Sequence, residues 1–144
     1  MQQRGFKLIL FSDQLDHESD VEDMEIIISH YNKVCDEKDE PKILQFVHTT
    51  NILKLEEELI PGCICVVDYG ALGVPGQTGM LDALNRRFEK IIFNHPTVNF
   101  IFWCTMGVEY YSDLFFEFAN FRPIDRTESL KNWVNAFLQM PFEQ

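Results

Sequence analysis

The run Cys63-Ile64-Cys65-Val66-Val67 is apolar at five successive positions and then meets Asp68. A strand with one wet face alternates apolar and polar residues. This run does not, so it reads as a central strand covered on both faces, the kind found in parallel sheets. Pro61-Gly62 breaks the chain before it, and a glycine-rich loop, Tyr69 to Gly79, follows it. These signals bound the strand on either side.

Working outward, Phe6 to Ser12 (FKLILFS), Lys42 to His48 (KILQFVH) and Val98 to Cys104 (VNFIFWC) are three more runs of strand character. Helical patterns separate them. Val21, Met24, Ile28, Tyr31 and Cys35 recur at helical spacing and predict a helix over Asp20 to Asp36. Thr49-Thr50-Asn51 supplies capping side chains for a short helix carrying Leu53, Leu55 and Leu59. Leu81, Leu84, Phe88 and Ile91 or Ile92 share one face of a third helix that stops at Asn94-His95-Pro96. Between Gly107 and Phe121 the pattern predicts a short helix and then a short strand near Phe118 to Phe121. Leu130, Trp133, Val134, Phe137 and Leu138 place a last helix over about Thr127 to Gln139. Strands alternating with helices argue for an α/β chain with a parallel sheet. No linker, repeat or low-complexity tract interrupts it, and residues 1–144 are read as one domain.

Composition narrows the function. The chain is 46% apolar, with thirteen Phe and two Trp, which is enough to build a packed core. Its net charge of −11 leaves no surplus of Lys and Arg to displace counterions, so direct binding to nucleic acid is not expected. No apolar run is long enough to span a bilayer. The N-terminus reads as a first strand and not a secretion signal, so the cytoplasm is the expected compartment. Cys35, Cys63, Cys65 and Cys104 form no C-x-x-C, and the four histidines are scattered. The cysteines read as small buried residues in a reducing compartment. Nothing in the spacing points to a catalytic Cys–His pair, and the chain is not read as an enzyme.

Asp13, Asp68 and Thr105 each follow or end a strand. In an open parallel sheet the functional crevice lies beyond the carboxyl ends of the strands. Arg122, after the expected last strand, would join them. Taken singly, an Asp that ends a strand serves equally well as a cap or turn former. The acidic stretch Asp13, Asp16, Glu18, Asp20, Glu22, Asp23 and Glu25 suits a solvated helix start as well as a cation site.

The ordered set resembles the response-regulator receiver domain of two-component signalling, over nearly the whole chain. Val74-Pro75 and Gly79 follow Asp68 with the family's mutual spacing, three residues farther from the Asp than usual. Gly79-Met80-Leu81-Asp82 matches the start of the third helix. Arg122-Pro123-Ile124-Asp125, followed by Leu130, resembles the Lys-Pro-Phe-Asp signature. The resemblance implies a flavodoxin-like five-stranded parallel sheet of order 2-1-3-4-5 with helices on both faces. It implies Asp68 as phosphoacceptor, Thr105 as the hydroxyl and Arg122 as the cation of the phosphoryl site. It implies Mg²⁺ held by Asp13, Asp68 and the carbonyl of Gly70, and a cis Arg122–Pro123 peptide. A histidine kinase or another signalling protein would be the partner, with a homodimer as a further form.

The departures point to an atypical or pseudo-receiver. Ser12-Asp13 stands where the family carries two acids, Met106 where a small residue follows the Thr, and Ala119 at the usual switching aromatic. The alternative function is a phosphorylation-independent interaction module using the fourth helix and last strand, near Tyr110, Tyr111, Phe115 and Phe116. A third reading, a nucleotide or cofactor binder using the Gly70–Gly79 loop, is weak. That loop lacks both G-x-G-x-x-G and a G-K-[ST] ending.

Overall fold

Each apolar run becomes a strand, and each helical pattern becomes the crossover to the next. The computed structural model describes residues 5–12, 18–68, 79–104, 108–125 and 129–139. In chain order the elements are β1 (Gly5–Ser12), α1 (Glu18–Lys38), β2 (Lys42–Thr49), α2 (Ile52–Glu58), β3 (Ile64–Asp68), α3 (Gly79–Asn94), β4 (Asn99–Cys104), α4 (Val108–Leu114), β5 (Phe121–Asp125) and α5 (Leu130–Leu138). The five strands form one sheet of order β2-β1-β3-β4-β5, and every neighbouring pair is parallel. This is the flavodoxin-like α/β arrangement expected from the sequence.

The two-residue period of a strand divides the apolar runs between two cores. Leu8, Leu10, Ile64, Val66, Ile101, Trp103 and Ile124 pack under α1 and α5, with Met24, Tyr31, Trp133 and Phe137. Ile9, Phe11, Cys65, Val67, Phe100 and Phe102 pack under α2, α3 and α4, with Leu55, Phe88, Ile91 and Tyr111. The second core is built around rings. Phe102 sits edge-on to Phe88, Tyr111, Phe115 and Phe121, with centroids 5.7, 5.2, 5.3 and 5.0 Å away. The quadrupoles of aromatic rings favour this edge-to-face geometry.

α1 is longer than the pattern Asp20 to Asp36 indicated, by residues at both ends. Its far end is stopped by Asp39 at φ 56°, the left-handed conformation usually given to glycine. The Glu40 N–H then donates to the Cys35 carbonyl at 3.1 Å and closes the helix end. The strand that follows is tied back to α1. Asn32 donates to the Ile43 carbonyl and accepts from the Ile43 N–H, at 3.0 and 2.8 Å. The Tyr31 hydroxyl donates to the Pro41 carbonyl at 2.8 Å. Because an L side chain is strained in the left-handed region, Asp39→Gly is expected to raise stability by about 1 kcal/mol. A urea midpoint that falls in this variant would show that the Asp39 side chain contributes more than its backbone costs.

The segment from α4 to β5 departs from the expectation. The strand placed near Phe118 to Phe121 instead begins at Phe121 and runs to Asp125, through Pro123. Phe118 belongs to the preceding turn, its N–H donating to the Phe115 carbonyl at 3.0 Å. β5 is an edge strand, paired only with β4. An edge leaves alternate backbone N–H groups outside the ladder, so Pro is admitted there. The Arg122–Pro123 peptide is trans, as are all peptide bonds among the described residues, which corrects the cis bond the resemblance implied. The extended chain runs straight through the proline into Ile124 and needs no turn there. α5 begins at Leu130, later than Thr127, because Ser129 is its cap: the Ser129 hydroxyl accepts from the Asn132 N–H at 3.2 Å.

Asn120 fixes the entry to β5. Its Nδ2 lies 3.3, 3.0 and 3.0 Å from the carbonyls of Ile92, His95 and Val98, so two N–H groups serve three acceptors. The Phe100 N–H donates to the Asn120 carbonyl at 2.8 Å. Asn120→Asp would place an acceptor against these three oxygens. A loss of about 2–3 kcal/mol in unfolding free energy is expected, since buried acceptors lose their donor. An unchanged denaturation midpoint would contradict this role.

Candidate functional site: the carboxyl rim of the sheet

The central strand turns polar only at its last residue, where the chain leaves the sheet. Asp68 ends β3, Ser12 ends β1, and the two are paired in register. Both are enclosed: Ser12 is 0% exposed and Asp68 is 1% exposed. The Ser12 hydroxyl oxygen is buried and has no hydrogen-bond partner among the described residues, a costly state for a polar group. The position of Asp68 at the carboxyl end of the central strand is the one the sequence indicated. Asp13, Gly70 and Thr105, the other residues of that constellation, lie outside the described residues.

Arg122 does not lie beyond the last strand. It is the second residue of β5 and pairs with Ile101. Asp68 follows Val67, which pairs with Phe102, so the level of Asp68 is that of Trp103 and its partner Ile124. Arg122 is therefore two residues behind Asp68 along the sheet, roughly 7 Å at the usual rise per residue, and two strands across. The residue that does reach the rim on β5 is Asp125, opposite Cys104. It carries the opposite charge from the cation expected there. The shift has a simple source: β5 begins at Phe121, so the Arg-Pro pair is drawn into the strand.

Mg²⁺ coordination calls for oxygen donors, carboxylates foremost. Among the described residues the rim supplies two carboxylates, Asp68 and, two strands across, Asp125, with the neutral hydroxyl of Ser12. These alone do not fit the ion. No group of three or more His, Cys, Asp or Glu residues able to hold a metal occurs among the described residues. The cysteines are equally quiet. Burial pushes the thiols of Cys63 and Cys65 up, Cys65 furthest, and burial also raises Cys35. Neutral thiols of this kind are poor nucleophiles and poor ligands. No helix among the described residues is long and apolar enough to cross a membrane.

The aromatic segment 110–116 separates into two roles. Tyr111 and Phe115 are core residues, whereas Phe116 is 82% exposed. The side chain of Tyr110 lies outside the described residues. Phe93, at the end of α3, is 71% exposed. It lines two adjoining grooves, of about 490 and 330 Å³, together with Glu117 and Phe118. Sequence reasoning passed over Phe93. The available signal was an aromatic residue next to Asn94-His95-Pro96, off the Leu84–Phe88–Ile91 stripe.

No family model matches the chain, and no curated protein or solved structure matches it either.

Proposed function

We propose that this chain is a receiver-like signalling module of pseudo-receiver kind, whose output is a contact with another protein that needs no phosphoryl transfer. The fold and the place of Asp68 support the receiver part of the reading. The register of β5 carries the rest, because it leaves Arg122 two residues short of the level of Asp68. A phosphorylated aspartate needs a cation to pair with the new charge. On β5 the residue level with Asp68 is the apolar Ile124, and the next one out is an acid, Asp125. Ser12 in place of a second acid removes one carboxylate from the metal side.

The alternative keeps Asp68 as a phosphoacceptor for a histidine kinase, with Thr105 and Arg122 assisting and Mg²⁺ held by Asp13, Asp68 and Gly70. Its support is the rim position of Asp68 and the buried hydroxyl of Ser12, unpartnered among the described residues. Exposure to acetyl phosphate with Mg²⁺, followed by intact mass measurement, separates the two. No phosphoryl adduct is expected. An adduct that forms on the unaltered chain and is absent from Asp68→Asn would establish the alternative.

A further inference from the structure

We propose that the groove between the last turns of α3 and the α4–β5 connection docks a cationic, apolar-faced segment of a partner protein, one in which Lys or Arg residues flank large apolar side chains. This inference rests on the reading of the chain as an interaction module, and it supplies the surface and the partner's chemistry.

The groove is apolar where it is most accessible. Phe93 lines the groove and presents its ring to water, Phe118 lines it partly buried, and Phe116, outside the lining but next in sequence to the lining Glu117, is exposed as well. Leaving two phenylalanines exposed costs the transfer free energy that a partner would recover. The floor is held in place. Asn120 ties the Ile92, His95 and Val98 carbonyls together, and the fully buried Phe115 anchors the turn that carries Phe116 and Glu117. A surface already held in its bound shape loses little entropy on docking.

Charge selects the occupant. Glu89 and Glu117 stand on the groove walls, against Lys90, the one cation among the described residues that line it. The whole chain carries −11. A second copy would bring the same acids to a two-fold interface and repel. An anionic membrane surface would repel likewise. A cationic segment meets Glu89 and Glu117 with its basic residues and sets its apolar residues on the rings. Its Arg or Lys groups gain further from the exposed ring of Phe93.

The groove lies at the amino ends of β4 and β5, beside Asn99 and Asn120, at the opposite end of the strands from Asp68. Docking there does not depend on the rim.

The test is fluorescence anisotropy with a labelled 18-residue Leu/Lys amphipathic peptide and its Leu/Glu counterpart, the length chosen to give roughly five helical turns. The full chain should bind the Leu/Lys peptide and not the Leu/Glu one. F93S/F116S, which keeps the net charge, should weaken binding by about tenfold, as loss of central aromatic anchors does. E89K/E117K should weaken it comparably. E22K/E25K, with the same change of charge on exposed α1 positions, should stay within about twofold, as rim charges remote from an interface do. All these positions are exposed, and each variant should keep the melting curve of the parent. Equal affinity in F93S/F116S overturns the proposal. So does an equal loss in E22K/E25K, which would mean attraction to net charge alone, or absence of binding by the parent. A dimer in sedimentation that F93S/F116S dissolves also overturns it, in favour of a second copy. Repeating the titration on Asp68→Asn keeps this result separate from any phosphoryl chemistry at the rim.

Discussion

Phe102→Ala should remove about 3–5 kcal/mol of stability, the range for emptying an aromatic site in a packed core. The side chain is nearly fully buried and touches four other rings, one each from α3, α4, the turn after α4 and β5. Deleting it leaves a cavity that four separate elements line, and they cannot all close on it. Total stabilities of domains this size run about 5–15 kcal/mol, so a large share of the variant would be unfolded at modest urea. Phe116→Ala is the control of equal chemistry. Phe116 is mostly exposed, and its loss should fall within about 0.5 kcal/mol, as exposed sites do. Urea unfolding followed by far-ultraviolet circular dichroism measures both. Similar midpoints for the two variants would mean that Phe102 is not the hub of the second core.

Trp133→Ala should cost a similar amount, about 3–5 kcal/mol, but by a different route. Trp133 is the inward anchor of α5, edge-on to Trp103 at 5.8 Å and to Phe137 at 5.7 Å. α5 has nine residues. Helices shorter than about 12 residues are marginal in water, so this one depends on its apolar face. Val134 and Phe137 are the remaining large buried contacts. Without Trp133, α5 should detach before the sheet unfolds. Amide exchange would show it: protection in α5 should fall to a low-energy opening while β3 and β4 keep most of theirs. Uniform loss of protection across the sheet and α5 would contradict this local dependence.

Most of the architecture was legible in the sequence because strands buried on both faces leave an unmistakable mark. The Cys63 to Val67 run, with Phe6 to Ser12 and Val98 to Cys104 beside it, specified a parallel sheet. The helices between them were marked by their stripes, and Asn51 by its capping chemistry: its side chain accepts from the Leu53 and Lys54 N–H groups at 2.9 and 3.3 Å. The last strand was misplaced for a physical reason. Phe116 and Phe118 alternate as strand residues do, yet Phe118 is used in a turn and Phe116 faces water. A strand through 121–125 has to carry Pro123, and only the edge position of β5 makes that acceptable. That one displacement moved Arg122 off the rim. Motif order places residues along the chain, but register places them along the sheet, and a two-residue shift in an edge strand is invisible to spacing alone.

The rim was therefore legible in part. Asp68 stands at the carboxyl end of the central strand, paired with Ser12 across β1. The groove at the other end of the sheet was not legible, because nothing in the order of residues says that Phe93, Glu117 and Phe118 meet. Their meeting depends on Asn120 closing the connection between α3 and β5.

The proposed function turns on whether Asp68 has the surroundings to hold a phosphoryl group. Beryllofluoride, which mimics that group on an aspartate, tests it directly in the presence of Mg²⁺. Trp103 stands at the level of Asp68 on the adjacent strand, so its emission should report any change at the rim. A flat titration through millimolar Mg²⁺, identical in the parent and in Asp68→Asn, is the expected result. A saturable change in the parent that Asp68→Asn abolishes would contradict the proposal and establish a live phosphoacceptor.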